Sequence, residues 1–200
     1  MGAMGVSAML LTAVWIVASL STADPTPAFI PGVTHDAGLV DVGRTLFRNS
    51  LVLALHAVAC VAGFIAGSSL PLSAERRQGF ARWIHEKARP VAFAWVIGVI
   101  CFSLTTQAYI LGSSGATLAG QLDISTAALV VTALPHAMLE LTAVFLPLAA
   151  WTMASRVGAW EDLLAATFAT VAIAIPALVV AAVWEAYVWP QLLIVASPLY

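Results

Sequence analysis

Long apolar runs separated by short polar ones dominate this chain, and the runs are about twenty residues long. An α-helix rising about 1.5 Å per residue needs that length to cross a hydrocarbon core of about 30 Å. The pattern predicts five membrane helices, over Met4–Ser21, Phe47–Ser68, Val91–Leu111, Ile124–Met153 and Leu163–Trp189. The expected fold is all-α: a polytopic membrane helical bundle, one integral membrane domain over residues 1–200. A soluble core would require shorter, amphipathic runs.

Two segments complicate this pattern. Ile124–Met153 is too long for one simple crossing, and proline fits the first turn of a helix, where its missing N–H is not needed. Pro135 therefore predicts a half-length helix over Ile124–Leu134, with a full span starting at Pro135; a kinked or tilted single helix is the alternative. Leu39, Val42, Leu46 and Phe47 recur at helical spacing, with Asp41, Arg44 and Arg48 on other faces. They predict a short interfacial helix ahead of the second span. The first span also reads as a signal peptide cleaved after Ser21-Thr22-Ala23, but no Lys or Arg precedes it, which favours a retained helix.

Composition narrows the function classes. The chain has 200 residues, 62% of them hydrophobic and 9% charged, and a net charge of −2. No basic strip interleaved with aromatics exists, which excludes nucleic acid as an expected partner. Cys60 and Cys101 stand alone in apolar runs and make neither a disulfide framework nor a thiolate metal site. Five of the eight Lys and Arg residues (Arg76, Arg77, Arg82, Lys87, Arg89) crowd between the second and third spans. Positive charge collects on the cytoplasmic side, so residues 69–90 are expected inside and residues 22–46 outside, with the N-terminus cytoplasmic and the C-terminus extracytoplasmic. Trp83 among those cations is expected at the headgroups. Trp184 and Trp189 read as outer interfacial anchors, and Trp160 as an inner one.

The chemistry lies in the polar residues of the apolar runs: Asn49, His56, His136, Glu140 and Glu185. Such groups are costly in lipid unless they face a bundle interior, pair, or touch water. Each shares a helix face with small residues that let helices approach closely. His56 lies in register with Gly63 and Gly67, His136 and Glu140 with Ala133 and Ala143, and Glu185 with Ala174, Ala177 and Ala181. This predicts a tight bundle with an internal polar cluster in the extracytoplasmic half. His56, His136, Glu140 and Glu185 together are an acceptable donor set for a divalent metal. The His136–Glu140 spacing is half of a His-Glu-xx-His motif and lacks its adjacent Glu and second His. A hydrogen-bonded structural network and a proton or substrate pathway are the other readings. No other cofactor is expected, and no nucleophile set nominates an enzyme.

Two phrases carry a family resemblance. Pro135-His136-Ala137-Met138-Leu139-Glu140 resembles the Pro-His-Gly-xx-Glu signature of the stage II sporulation protein M (SpoIIM) family, with Ala137 where the family usually has glycine. Glu185-Ala186-Tyr187-Val188-Trp189-Pro190 is similar to its ending of the last span, and Phe47-Arg48-Asn49 to its Phe-x-Asn element. The resemblance implies a bacterial inner-membrane protein, a non-enzymatic anchor or assembly component of a cell-envelope complex. Its expected partners are the lipid bilayer and either further copies of itself or other membrane proteins. A transporter or channel-like permease with a His/Glu site, and an intramembrane metal-dependent hydrolase, remain open alternatives.

Overall fold

A computed structural model of the chain describes residues 2–69, 72, 75–76 and 78–200. Its helices are α1 (Ala3–Leu20), α2 (Leu39–Phe64), α3 (Gly79–Gln121), α4 (Thr126–Val157), α5 (Leu163–Tyr187) and α6 (Trp189–Ala196). A π-helical turn, Ile65–Ser69, prolongs α2. Among the described residues no strand forms beyond one isolated bridge between Pro31 and His35. Five helical stretches are long and apolar enough to cross a membrane, the last running from Leu163 through α6 to Ala196.

Three boundaries differ from the sequence pattern. No half-length helix precedes Pro135, because α4 runs unbroken for 32 residues with Pro135 and Pro147 inside it. Its start is set at Ser125, whose hydroxyl accepts the Ala128 N–H at 3.1 Å, and its end by Gly158 in the left-handed region at φ 73°. Pro135 deprives the Val131 carbonyl of its helical partner, a local loss on a face that leaves Val131 and Leu134 exposed. At about 1.5 Å per residue α4 outruns a hydrocarbon core and must tilt. The expected interfacial helix at Leu39–Phe47 is instead the first two turns of α2. There the Asp41 carboxylate accepts the Gly38 N–H at 3.0 Å and complements the positive end of the helix dipole. The basic segment expected as a loop is helical from Gly79 onward, although Arg77 and the side chain of Arg89 lie outside the described residues.

α4 is the hub. It packs against α1, α2, α3, α5 and α6, whereas α1 meets only α3 and α4. Hydrophobic residues lie on all its sides, some toward the core and others, such as Val131, Leu134 and Leu139, on an exposed face. Its Leu141, Val144, Phe145 and Leu148 form the main core with Leu10 and Val14 of α1, Leu53 of α2, and Ala174 and Leu178 of α5. Phe145 has no exposed surface. A second cluster of Ile30, Ala119, Leu122, Leu129 and Leu193 closes one end of the bundle.

Small residues set how closely the helices approach. Gly63 lies against the Trp151 indole and Gly67 against that of Trp160, so tightly that a Cβ at either glycine would overlap the ring. Trp160 thus packs within the bundle, its ring 5.3 Å from Phe93 and 6.3 Å from Trp151. Ala174 and Ala181 have no exposed surface, and Ala177 packs against the main core.

Gly67→Leu should therefore destabilise the protein by about 1–3 kcal/mol, the usual cost of overpacking. Gly43→Leu, at a helical position with nothing within 4 Å of the added Cβ, should cost far less. Thermal unfolding of both variants in detergent checks the contrast.

Candidate functional site

The end of the bundle formed by the α1–α2 and α3–α4 connections holds a network of polar contacts. The connection from Ser21 to Gly38 is pinned there by Gln121 at the end of α3. The Gln121 amide donates to the Thr26 carbonyl at 2.5 Å and accepts the Ala28 N–H at 2.6 Å. Thr117 accepts the Asp24 N–H at 3.1 Å. The Thr26 N–H, donating to Asp24 at 2.8 Å, holds this exposed carboxyl below its ordinary range, and the Thr26 hydroxyl adds to the effect. Further along, the His35 ring stacks on Phe29 at 3.5 Å and approaches Asp41 at 3.7 Å. Gly32, at φ 77°, sits on Pro190 where α5 passes into α6; a Cβ there would come within 2.7 Å of the proline ring. Only glycine tolerates both that dihedral and that contact.

Beneath this strap lie two cavities. The outer one, of about 410 Å³, is lined by Phe29, Ile30 and Pro31 of the strap and by Asp41, Arg44, Thr45 and Arg48 of α2. The inner one, of about 200 Å³, reaches between Val14 and Ala18 of α1, Leu111 and Gly115 of α3, and Leu129, Ala133, His136, Ala137 and Glu140 of α4. Both are walled by Arg48, Ser114, Leu118, Glu185 and Trp189, so the two spaces adjoin. Arg48 and Glu185 approach to 3.8 Å at that junction.

The structure brings four of the five sequence candidates to this place. His136, Glu140 and Glu185 line the inner chamber, and Asn49, buried on α2, interacts with Glu140 along with Glu185 and Arg48. His136 is 6% exposed, its Nδ1 meets no hydrogen-bond partner, and its ring centre lies 5.1 Å from that of Trp189. His56 is elsewhere. It is 1% exposed, packed edge-on against Phe145 at 5.2 Å, and lines none of these cavities. Neither of its nitrogens makes a well-formed hydrogen bond, the Val52 and Val144 backbones being the nearest polar groups. Among the described residues no three His, Cys, Asp or Glu side chains gather into a metal-binding group.

Two residues make contacts that the sequence pattern does not show. Arg48, still largely exposed, approaches Glu185 at the chamber mouth. Its place four residues after Arg44 and beside Asn49 was the available signal. Trp189, expected near the outer interface, donates its indole N–H to the Thr132 hydroxyl at 3.3 Å and walls the chamber with its ring.

Because His56 carries unsatisfied nitrogens in a dry core, His56→Leu should leave the unfolding temperature unchanged or raise it, since a buried unpartnered polar group costs about 1–3 kcal/mol. A large drop in thermal stability on this substitution would show that the imidazole makes interactions the geometry does not contain.

Comparison with known proteins adds the family. The family described as stage II sporulation protein M matches residues 71–190. The match includes Pro135 to Glu140 and Glu185 to Pro190, and leaves Phe47-Arg48-Asn49 outside it. Neither the curated proteins nor the solved structures give a match. With more than half of its length matched, the chain belongs to the stage II sporulation protein M family of membrane proteins.

Proposed function

We propose that the protein is a non-enzymatic, permease-like membrane component whose helices enclose a binding chamber for a small ligand. The observation that carries this reading is the shared wall of Arg48, Ser114, Leu118, Glu185 and Trp189, which sets the outer cavity beside the inner one lined by His136 and Glu140. Ionisable side chains within membrane helices characteristically mark solute or ion pathways, and sites between helices of a bundle are the usual places for ligands. The protein sits in the bacterial cytoplasmic membrane with the strap on the extracytoplasmic side, a topology supported by Arg76, Arg82 and Lys87 near the other end of the bundle. The ligand then arrives from outside the cell.

Family membership supports a second reading, an anchor or assembly component of a cell-envelope complex, self-associating or bound to other membrane proteins. The two readings differ in what they ask of the chamber. A pure anchor needs the polar residues only to hold its helices together, whereas a permease-like protein needs them reachable from water.

Ser114 decides between them, because it walls both cavities. In a Cys101→Ser background, Ser114→Cys should react with a charged, membrane-impermeant thiol reagent added from the strap side of reconstituted vesicles. Cys60, buried with its thiol donating to the Pro147 carbonyl at 3.1 Å, should stay unmodified. Labelling no faster than at Cys60 would mean a sealed interior and sink the permease-like reading.

A further inference from the structure

Charge, shape and wall chemistry of the inner chamber limit what can occupy it. Two carboxylates, Glu140 and Glu185, face it with one guanidinium, Arg48, which lies against Glu185 at 3.8 Å. Within the chamber the only other ionisable side chain is His136. With both acids ionised and the imidazole neutral, one negative charge is left over, on the side of Glu140, deeper than the Arg48–Glu185 pair. An uncompensated charge between membrane helices is expensive, and a monovalent cation entering the chamber relieves it.

The walls distinguish among cations. Apart from those ionisable groups they are mostly aliphatic, including Leu118, Leu129 and Ala133. A hard metal ion needs six or more oxygen ligands or a set of three or more side-chain donors, and no such set forms among the described residues. An ammonium group on a small apolar body needs less: one carboxylate for the charge, an aromatic face, and aliphatic contact for the rest. Trp189 and His136 supply aromatic faces with ring centres 5.1 Å apart, and a tryptophan face is the preferred partner of an organic cation. The Nδ1 of His136, without a partner on a side chain 6% exposed, is a polar group in this wall that the protein leaves unsatisfied. The volume, about 200 Å³, suits a few heavy atoms.

The geometry points to a small organic ammonium ion as the ligand of the inner chamber, its nitrogen at Glu140 and its alkyl body against α3 and α4. The assignment rests on the permease-like reading. The same chemistry comes from two sources, a soluble amine or the ethanolamine headgroup of a membrane lipid.

The test is a thermal-unfolding titration of the full-length protein in detergent. The probes are n-butylammonium chloride, the neutral isostere n-butanol, and sodium chloride at matched ionic strength. Butylammonium should raise the unfolding midpoint with saturable concentration dependence, as expected of a ligand that binds the folded state. Butanol and sodium chloride should not. Glu140→Gln should weaken the apparent affinity about tenfold or more, the scale of losing one partner of a buried charge pair. Ala133→Leu, which fills the chamber and keeps every charge, should abolish the response, while Glu161→Gln, away from the cavities, should preserve it. Equal shifts with butanol, or an undiminished butylammonium shift in Glu140→Gln, would overturn the assignment. Had Ser114→Cys been reactive in that case, the accessible chamber would stand and only its ligand class would fall. In nanodiscs, weaker butylammonium binding when phosphatidylethanolamine replaces phosphatidylglycerol assigns the lipid as source, and unchanged binding assigns a soluble amine.

Discussion

Much of this structure follows from the position of α4, which carries His136 and Glu140 within its apolar run and touches every other helix of the bundle. Hydrocarbon cannot solvate an imidazole or a carboxylate, so a helix bearing both must turn them away from lipid. A peripheral helix does this by facing one neighbour. A helix with several neighbours can turn these groups into the bundle while an apolar face stays outward, and its polar groups then lie wherever the surrounding helices leave room. α4 meets the condition with Phe145 at its most buried point and an exposed apolar face at Val131, Leu134 and Leu139.

Room exists because the surrounding ring is incomplete. α1 packs on α3 and α4 but meets neither α2 nor α5, and the chamber opens across that gap, between Ala18 on one side and Arg48 and Glu185 on the other. Away from the gap the packing is close: Gly63 and Gly67 are pressed against tryptophans, and His56 is sealed beside Phe145. The molecule is therefore divided along its axis. One half is dry and held by shape. The other is polar, open and partly covered by a strap seated on Pro190.

That division explains why two histidines of similar appearance in the sequence have different surroundings. His56 and His136 both sit within apolar runs on faces shared with small residues. The small residues near His56 are filled by Trp151 and Trp160 from the next turns of the bundle, which leaves no space for solvent. Those near His136, Ala133 and Ala137, are left uncovered and become chamber wall. A small side chain permits either close packing or a void, and the neighbour decides which.

What the sequence determined by itself is the class of fold and the cast of polar residues. Runs of about twenty apolar residues admit few structures other than membrane helices, because backbone groups in lipid must bond within their own segment. The short phrases around His136, Glu140 and Glu185 carried enough side-chain identity to indicate the family. Helix boundaries at Pro135 and Leu39 were not legible. Proline is compatible with a first turn or an interior kink, and only the packing around α4 decides between them. Nor could periodicity tell that Arg48 and Trp189 border the chamber while His56 stands apart. A helical repeat specifies which residues share a face, but what that face meets depends on residues distant in the chain, brought beside it only when the bundle closes.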